Sequence, residues 1–271
     1  HLNRLQNTNE VMIGDAETGE VRTVFTDRDE CWVEVCDSVH WLAGGRQFTW
    51  LSERDGWSHV YIVSRNGEAR LITPGDFDVL SVEAVDEKGG WLYYVASPEN
   101  PTQRYLWRTR LDGRGKAERI TPVGQAGTHS YDISPSAQWA FHTYSAFGVP
   151  PVTELVRLPK HAVVRTLVDN RKLKANVAAV KKGPQEFFRV DIGDGVELDG
   201  YSLKPPDFDP AKRYPLLIHV YGEPAGQTAL DRWQGNGYLW HLMLTQQGVI
   251  VVSIDNRGTP APRGRGGGLG G

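Results

Sequence analysis

A strand–turn–strand pattern recurs four times in the first 170 residues of this 271-residue chain, at nearly constant intervals. The turn positions are Gly19, Gly67, Gly113 and His161, separated by 48, 46 and 48 residues. Each turn joins two runs rich in Val, Leu, Ile and Thr, which is typical of a β-hairpin whose turn tolerates a left-handed backbone. The later intervals also contain two further strand-like segments, and four short strands in roughly 45 residues are typical of a β-propeller blade.

The first of the four units contains a hairpin alone, so residues 1–170 predict about three complete blades and the outer hairpin of another. Propellers close into rings because an open ring leaves sheet edges and apolar blade faces exposed. We therefore expect a partial β-propeller of about three to four blades, which is an internal portion of a longer one. A β-sandwich is the alternative, but it gives no reason for the fixed interval.

Two short apolar runs, at residues 214–220 and 249–254, do not alternate with polar residues. Such runs predict strands buried on both faces, as in a parallel sheet covered by helices on each side. Residues 237–247 between them have helical spacing of apolar residues, and we expect Trp240 and Met243 to pack on the sheet. Functional groups in these sheets lie just past the carboxyl ends of the strands. Tyr221 and Asn256 occupy those positions.

The chain changes character between the repeats and these runs. Residues 171–178 predict one or two helical turns, and the alternating runs at 186–191 and 196–204 predict a second kind of hairpin. We therefore expect a second domain at residues 171–265. A Gly-rich tail at 266–271 follows it and has no core-forming content.

Several functional classes are disfavoured by composition. The 30 Lys and Arg are balanced by 33 Asp and Glu, for a net charge of −3, which does not suggest nucleic-acid binding. No window of about 18 apolar residues predicts a membrane segment. No His, Cys and Asp cluster has the spacing of a metal site, and no cofactor is implied. Cys31 and Cys36 are expected to be small buried hydrophobes on a strand rather than a disulfide.

The order of these elements resembles the prolyl oligopeptidase superfamily. The specific parts are Tyr-Pro-Leu-Leu-Ile-His-Val-Tyr-Gly-Glu-Pro at 214–224 and Asp-Asn-Arg-Gly at 255–258. Within the superfamily the chain is most similar to bacterial members of the dipeptidyl peptidase IV family, through the blades and up to about Arg265. The resemblance implies a β-propeller followed by the start of an α/β-hydrolase domain, with the site in the cavity between them.

The resemblance implies a serine peptidase that removes dipeptides, usually Xaa-Pro or Xaa-Ala, from peptide N-termini. In that family the tyrosine at the end of this strand points its hydroxyl into the oxyanion hole, and the match places that role on Tyr221. The residues alone leave open a tyrosine at a strand end with its hydroxyl in water. His219 is expected to be a core histidine, Arg257 a loop-supporting residue, and Ser58 beside His59 part of the blade packing.

An α/β-hydrolase also needs a Gly-x-Ser-x-Gly motif followed by an acid and a histidine. The 271 residues contain no such motif, and no Glu-Glu pair that would bind a substrate amino group as in the family. We therefore expect this chain to be inactive by itself. Two alternatives stay open: another peptidase of the superfamily, and a non-catalytic propeller protein that binds peptides or partners.

The resemblance also bears on partners and location. It implies a peptide substrate and, for the full-length protein, a homodimer. Bacterial members are often exported, so we expect a periplasmic or secreted protein rather than a cytoplasmic one.

Overall fold

The first 168 residues form four antiparallel sheets whose strands follow one another in sequence, in a computed structural model that describes residues 1–222 and 226–259. The first sheet is a two-stranded hairpin and the other three are four-stranded. All four predicted turn positions have positive φ, at 74°, 85°, 70° and 53° in chain order. The predicted partial propeller, with three complete blades after one hairpin, is confirmed.

We name these sheets in chain order. Hairpin 1 is β1 (Thr8–Gly14) and β2 (Val21–Arg28); blade 2 is β3 (Trp41–Leu42), β4 (Gln47–Ser52), β5 (His59–Ser64) and β6 (Ala69–Leu71). Blade 3 is β7 (Val79–Asp86), β8 (Trp91–Ala96), β9 (Tyr105–Arg110) and β10 (Glu118–Arg119). Blade 4 is β11 (Thr128–Ile133), β12 (Trp139–Ala146), β13 (Val149–Arg157) and β14 (Ala162–Val168).

The inner strands of each blade pack between two neighbouring sheets. In β5, Val60 and Ile62 join the hydrophobic cluster shared with blade 3, whereas Tyr61 and Val63 join the cluster shared with hairpin 1. Successive side chains of a strand point to opposite faces, so a run without polar residues fits a position between two apolar sheets. The same alternation continues in blade 3, where Leu92 faces blade 2 and Tyr93 faces blade 4.

Three buried histidines lie in blade 4: His129 on β11, His142 on β12 and His161 in the β13–β14 turn. They are 2%, 0% and 6% exposed. Nε2 of His129 lies 3.2 Å from the carbonyl oxygen of Gln125, so we assign the ring proton to Nε2. Nδ1 of His129 then accepts a hydrogen bond from Nε2 of His142, at 2.9 Å. This pairing requires the His129 ring to be uncharged, because its Nδ1 must keep a lone pair to accept the bond.

The third histidine connects blade 4 to blade 3. Nε2 of His161 lies 3.0 Å from the hydroxyl of Tyr131, which lies 2.7 Å from Oγ1 of Thr121. Thr121 in turn accepts the N–H of Leu106 on β9 at 2.8 Å. Burial lowers the pKa of all three histidines, that of His129 to about 4 and that of His142 to about 3.

The last part of the described chain is a mixed sheet with two helices. Its elements are α1 (Arg171–Ala179), β15 (Gln185–Asp191), β16 (Glu197–Leu203), β17 (Leu216–His219), α2 (Asn236–Gln246) and β18 (Ile250–Ile254). The strand order is β15-β16-β18-β17, with β17 and β18 parallel and the other pairs antiparallel. α2 is the crossover between the two parallel strands, as the spacing of the apolar runs predicts.

The predicted burial of β17 on both faces is wrong. Leu217 packs into the cluster formed with α2, whereas Leu216, Ile218 and Val220 are each 57% exposed. Alternate side chains of a strand point to opposite faces, and α2 covers one face of β17. No element of residues 1–222 and 226–259 covers the other face of this strand to the same extent.

The predicted packing of Trp240 and Met243 on the sheet is also wrong, since they are 49% and 46% exposed. The buried residues of α2 are instead Tyr238, His241, Leu242 and Thr245. These residues recur at the spacing of a single helix face, and the residues between them necessarily point elsewhere.

The cysteines do not lie on a strand. Cys31 is exposed and Cys36 is half-buried, both as free thiols, so the expectation of two buried hydrophobes is wrong for Cys31. Cys36 has a local role, because its sulfur accepts the N–H of Leu51 at 3.4 Å. In the described part of the chain, none of the helices has the length and apolar character needed to cross a membrane.

Candidate functional site

Tyr221 lies at the carboxyl edge of the parallel pair β17 and β18. The pairing of Leu216 with Ile250 and of His219 with Ser253 brings both strand ends to this edge. Tyr221 follows β17 by two residues, and its side chain is exposed. Gly222 comes next with φ of +88°, which a residue with a Cβ rarely adopts. The phenol is accessible at the strand end.

The neighbouring strand holds the main chain that leads to Tyr221. Oγ of Ser253, a fully buried residue on β18, donates to the carbonyl oxygen of His219 at 2.7 Å. The same Oγ lies 2.7 Å from Oγ1 of Thr228. The position of the strand end is therefore linked to the loop around Thr228.

The ring of Tyr221 packs against the backbone of Gly226. A Cβ at position 226 would lie 1.8 Å from Cδ1 of the ring, so only glycine permits this approach. The carbonyl oxygen of Gly226 accepts a hydrogen bond from Oγ1 of Thr259 at 3.3 Å. The ring therefore rests on backbone that the residues following β18 help to hold.

A buried carboxylate just past β18 organises the loop after Gly226. Oδ1 of Asp255 accepts the N–H and the hydroxyl of Thr228, at 2.6 and 2.7 Å, and Oδ2 accepts the N–H of Ala229 at 3.1 Å. Hydrogen bonds to an ionised acceptor are about twice as strong as those between neutral groups. Asp255 thus fastens this loop to the carboxyl edge of the sheet.

The other side of the same loop is bonded to the propeller. Oδ1 of Asp231 accepts the N–H of Phe147 at 2.7 Å, and Oδ2 accepts Nε2 of Gln103 at 2.8 Å. The backbone of Asp231 donates to Thr102 at 2.7 Å and accepts from Thr128 at 2.9 Å. One residue of the loop therefore contacts both blade 3 and blade 4.

Arg104 adds a cation to this contact. Its Nη2 donates to Oε1 of Gln227 at 2.8 Å, and Nε2 of Gln227 donates to the carbonyl oxygen of Pro101 at 2.9 Å. Burial lowers the pKa of the Arg104 guanidinium to about 10, and repulsion from Arg232 acts in the same direction. Arg104 is therefore cationic at neutral pH, close to the edge that carries Tyr221.

The other candidate residues from the sequence lie near Tyr221 or outside the described part of the chain. Asn256 lies at the same edge as Tyr221, and its Nδ2 donates to the carbonyl oxygen of Arg257 at 3.0 Å. His219 is exposed and its ring stands 5.4 Å from that of His241, so the expectation of a core histidine is wrong. Glu223 falls outside the described residues, as do residues 260–271, which include the Gly-rich tail.

Ser58 and His59 do not form a nucleophile–base pair. Oγ of Ser58 donates to the carbonyl oxygen of Val79 at 3.1 Å, and Nδ1 of His59 lies 2.8 Å from Asp55. The hydroxyl bonds blade 2 to blade 3, which is the packing role expected from sequence. Within the ranges 1–222 and 226–259, no three His, Cys, Asp or Glu side chains are arranged to hold a metal ion.

Sequence reasoning missed the residues that surround Tyr221. Asp255 had a usable signal, because it directly follows an apolar strand of a parallel sheet. Thr228 and Asp231 had none, because they lie in an irregular loop whose partners are distant in sequence.

The blades match a known family. Residues 1–151 match the model of the dipeptidyl peptidase IV (DPP IV) N-terminal region, which is more than half of the chain. The chain belongs to the dipeptidyl peptidase IV family. The match covers hairpin 1, blades 2 and 3 and the start of blade 4.

Relatives of this family resemble the chain well beyond residue 151. It is 30% identical to the probable dipeptidyl-aminopeptidase B of Emericella nidulans over 95% of this chain and 30% of the relative. The probable dipeptidyl peptidase 4 of the same organism is 27% identical, with 95% and 35% covered. The crystal structure of Porphyromonas gingivalis dipeptidyl peptidase 4 superposes with a TM-score of 0.86 at 29% identity, over 98% of this chain and 37% of that one. The chain thus spans about a third of the length of these relatives.

Proposed function

We propose that this chain is part of a serine exopeptidase that releases N-terminal dipeptides, with a preference for Xaa-Pro or Xaa-Ala, and that Tyr221 donates a hydrogen bond in its oxyanion hole. The observation that carries the proposal is the position of Tyr221 at the carboxyl edge of β17 and β18, in a chain of the dipeptidyl peptidase IV family. The names of the relatives support the type of activity.

The chemistry fits a phenol at this edge. When a nucleophile attacks a peptide carbonyl, negative charge develops on the former carbonyl oxygen. A fixed O–H donor aimed at that oxygen stabilises the transition state more than the substrate, which is the condition for catalysis. Two contacts support this role for Tyr221: its ring rests on Gly226, and Ser253 donates to the carbonyl oxygen of His219 at the end of its strand.

The remaining catalytic groups belong to other parts of the protein in this proposal. The 271 residues contain no Gly-x-Ser-x-Gly motif, so we place the nucleophile, its acid and histidine, and the groups that bind the substrate amine outside them. The chain alone is then inactive. We assign residues 1–170 to the propeller and 171–265 to the hydrolase domain, and we propose an exported homodimer for the full-length protein.

A different class of function is possible on the same fold. A non-catalytic protein that binds peptides would keep the propeller and the mixed sheet but have another residue in place of the nucleophilic serine. Another peptidase of the superfamily would keep the serine but lack the paired glutamates. The gene sequence outside these 271 residues distinguishes the three candidate functions. The proposal requires both the nucleophilic serine and the paired glutamates.

The kinetic test uses the complete protein encoded by the gene and a chromogenic Gly-Pro substrate. Tyr221→Phe removes the donor and is expected to lower kcat by about 10²–10³-fold. Tyr214→Phe is the matched control, because Tyr214 lies before β17 and its hydroxyl accepts the N–H of Asp209 at 2.8 Å. An unchanged kcat in Tyr221→Phe would rule out the oxyanion role, and turnover by the 271-residue chain would contradict its predicted inactivity.

A further inference from the structure

One loop that follows Tyr221 in sequence is hydrogen-bonded both to the propeller and to the mixed sheet. We call residues 226–233 the strap, since this segment is bonded to the sheet on one side and to blades 3 and 4 on the other. Ala229 and Leu230 in its middle are buried. The strap therefore runs through the contact between the two parts of the molecule and is not a freely exposed loop.

The sheet side of the strap ends at the main chain before Tyr221. Asp255 accepts three donors of the strap, from Thr228 and Ala229. The hydroxyl of Thr228 touches that of Ser253, which donates to the carbonyl oxygen of His219. The strap is thus linked to the residue two positions before Tyr221 by a contact between two hydroxyls, each of which donates a hydrogen bond on its other side.

The propeller side of the strap is anchored at three points. Gln227 is bonded to Pro101 and Arg104 of the loop between β8 and β9. Asp231 is bonded to Gln103 and to the N–H of Phe147, which follows β12. The N–H of Trp233 donates to Oγ of Ser145 at 3.0 Å. A shift of the strap relative to the blades would break several of these bonds at once.

Tyr221 touches the strap directly. Its ring lies so close to Gly226 that no side chain fits there, and Gly226 is the residue before the anchor Gln227. The ring is thus fixed from the strap, and its main chain is fixed through Ser253. Gly226 and Thr228, which make these two contacts, both belong to the strap, and the strap is hydrogen-bonded to the propeller.

We propose that Asp231 and Asp255 are positioning residues for Tyr221: they clamp the strap between the blades and the sheet, so that the propeller sets the position of the oxyanion donor. This inference rests on the proposed function of Tyr221. Oxyanion donors act at hydrogen-bond distance from the developing charge, and a displacement of about 1 Å costs up to about 10²-fold in rate. A loosened clamp therefore affects the chemical step more than substrate binding.

The test measures kcat and KM of the complete protein with the Gly-Pro substrate. Asp231→Ala removes the acceptor for Phe147 and Gln103, and we expect kcat to fall about tenfold with KM changed less than about twofold. Asp231→Asn retains one acceptor oxygen and is expected to restore kcat to within about threefold of the parent. The control is Asp207→Asn, because Asp207 forms an exposed ion pair with Lys181 away from the strap.

A double-mutant cycle separates positioning from a general structural effect. If Asp231 acts through Tyr221, then Asp231→Ala has less than about a twofold effect on kcat in a Tyr221→Phe background. The same non-additivity is expected for Asp255→Asn. A kcat effect that adds fully to that of Tyr221→Phe would overturn the inference.

The outcomes distinguish the inference from the function on which it rests. If Tyr221→Phe leaves kcat unchanged, the proposed function of Tyr221 is wrong. If Tyr221→Phe lowers kcat but neither aspartate variant does, the oxyanion role stands and the clamp is wrong. Should Asp231→Ala fail to fold by circular dichroism, Gln227→Ala breaks a separate anchor of the strap and is put through the same cycle.

Discussion

Lowering the pH from about 7.5 to about 5.5 is expected to destabilise the chain through the histidines of blade 4. In the folded state burial lowers the pKa of His129 to about 4 and that of His142 to about 3. A histidine in an unfolded chain has a pKa of about 6.5. Between these values the unfolded chain binds more protons, so the free energy of unfolding falls as the pH falls. The stability linked to these histidines is fully present above about pH 6.5 and is lost progressively as the pH falls below it.

The magnitude follows from the number of histidines. One ring that stays neutral when folded and titrates at about 6.5 when unfolded contributes a loss of about 1.4 kcal/mol over this pH range. His129 and His142 together give about 3 kcal/mol, and His161, whose pKa burial also lowers, acts in the same direction. Such a loss is a large part of the stability of an ordinary domain, which is about 5–15 kcal/mol.

The charged groups around the cluster set where a first proton would bind. Arg119 opposes protonation of His129. Oε2 of Glu154 lies 3.6 Å from Nδ1 of His142, the nitrogen that our assignment leaves without a proton. The carboxylate would favour a proton on this nitrogen, but burial dominates and lowers the pKa of His142 to about 3. The folded ring therefore stays neutral at pH 5.5, and replacing His142 removes its full share of the pH-dependent loss.

The assay is urea unfolding followed by tryptophan fluorescence at the two pH values. His142→Gln is expected to reduce the pH-dependent loss by about 1.4 kcal/mol, whatever its effect on stability at neutral pH. His1→Gln, at an exposed histidine, should leave the loss unchanged. Desolvation and repulsion from Asp78 and Glu34 raise the pKa of Glu53 to about 7, which gives an opposite slope, but this cancels between parent and variant. A pH-dependent loss in His142→Gln as large as that of the parent would refute the reasoning.

Two further changes test the packing of the blades, both by the free energy of unfolding in urea. Leu92→Ala opens a cavity at a fully buried position between blades 2 and 3 and should lower the free energy of unfolding by about 2–5 kcal/mol. The control Leu5→Ala, at a residue that is 73% exposed, should lower it by less than about 0.5 kcal/mol. Asp27→Ala should cost about 3 kcal/mol, because the buried carboxylate accepts Trp50 Nε1, Ser52 Oγ and Arg54 Nη2 and joins hairpin 1 to blade 2. A loss under about 1 kcal/mol in either buried variant would contradict the packing described for these sheets.

The blades were predictable from sequence because their signals are local and repeated. A turn at Gly67 and the run that precedes it recur one interval later at Gly113, and both turns have the backbone conformation that glycine favours. The doubly buried strands also carry their own signal, since Val60 and Tyr61 face different sheets and both are apolar. Local sequence is enough for such features, because each strand meets its neighbours in the order of the chain.

Burial in the second part was less predictable because it depends on neighbours that the run itself does not specify. Residues 214–220 are as apolar as a strand between two layers, yet Ile218 is exposed and Leu217 is not. The apolar residues of α2 are spread around the helix, so the spacing allows more than one buried face. Packing against β18 selects the face with Tyr238 and Leu242, and it leaves Trp240 outside.

The surroundings of Tyr221 show the same limit at the level of function. Sequence placed Tyr221 at a strand end, but the strap that its ring contacts is bonded to the propeller through Asp231, whose partner Gln103 is 128 positions away in the chain. No period or motif marks such a pair, because each partner lies in an irregular loop and the contact exists only once the blades and the sheet are both folded. If the clamp acts as proposed, the donor geometry is a property of the contact between the two parts of the molecule. A motif at the strand end would then be necessary for catalysis but not sufficient, and chains with the same motif and an altered strap should differ in kcat rather than in KM.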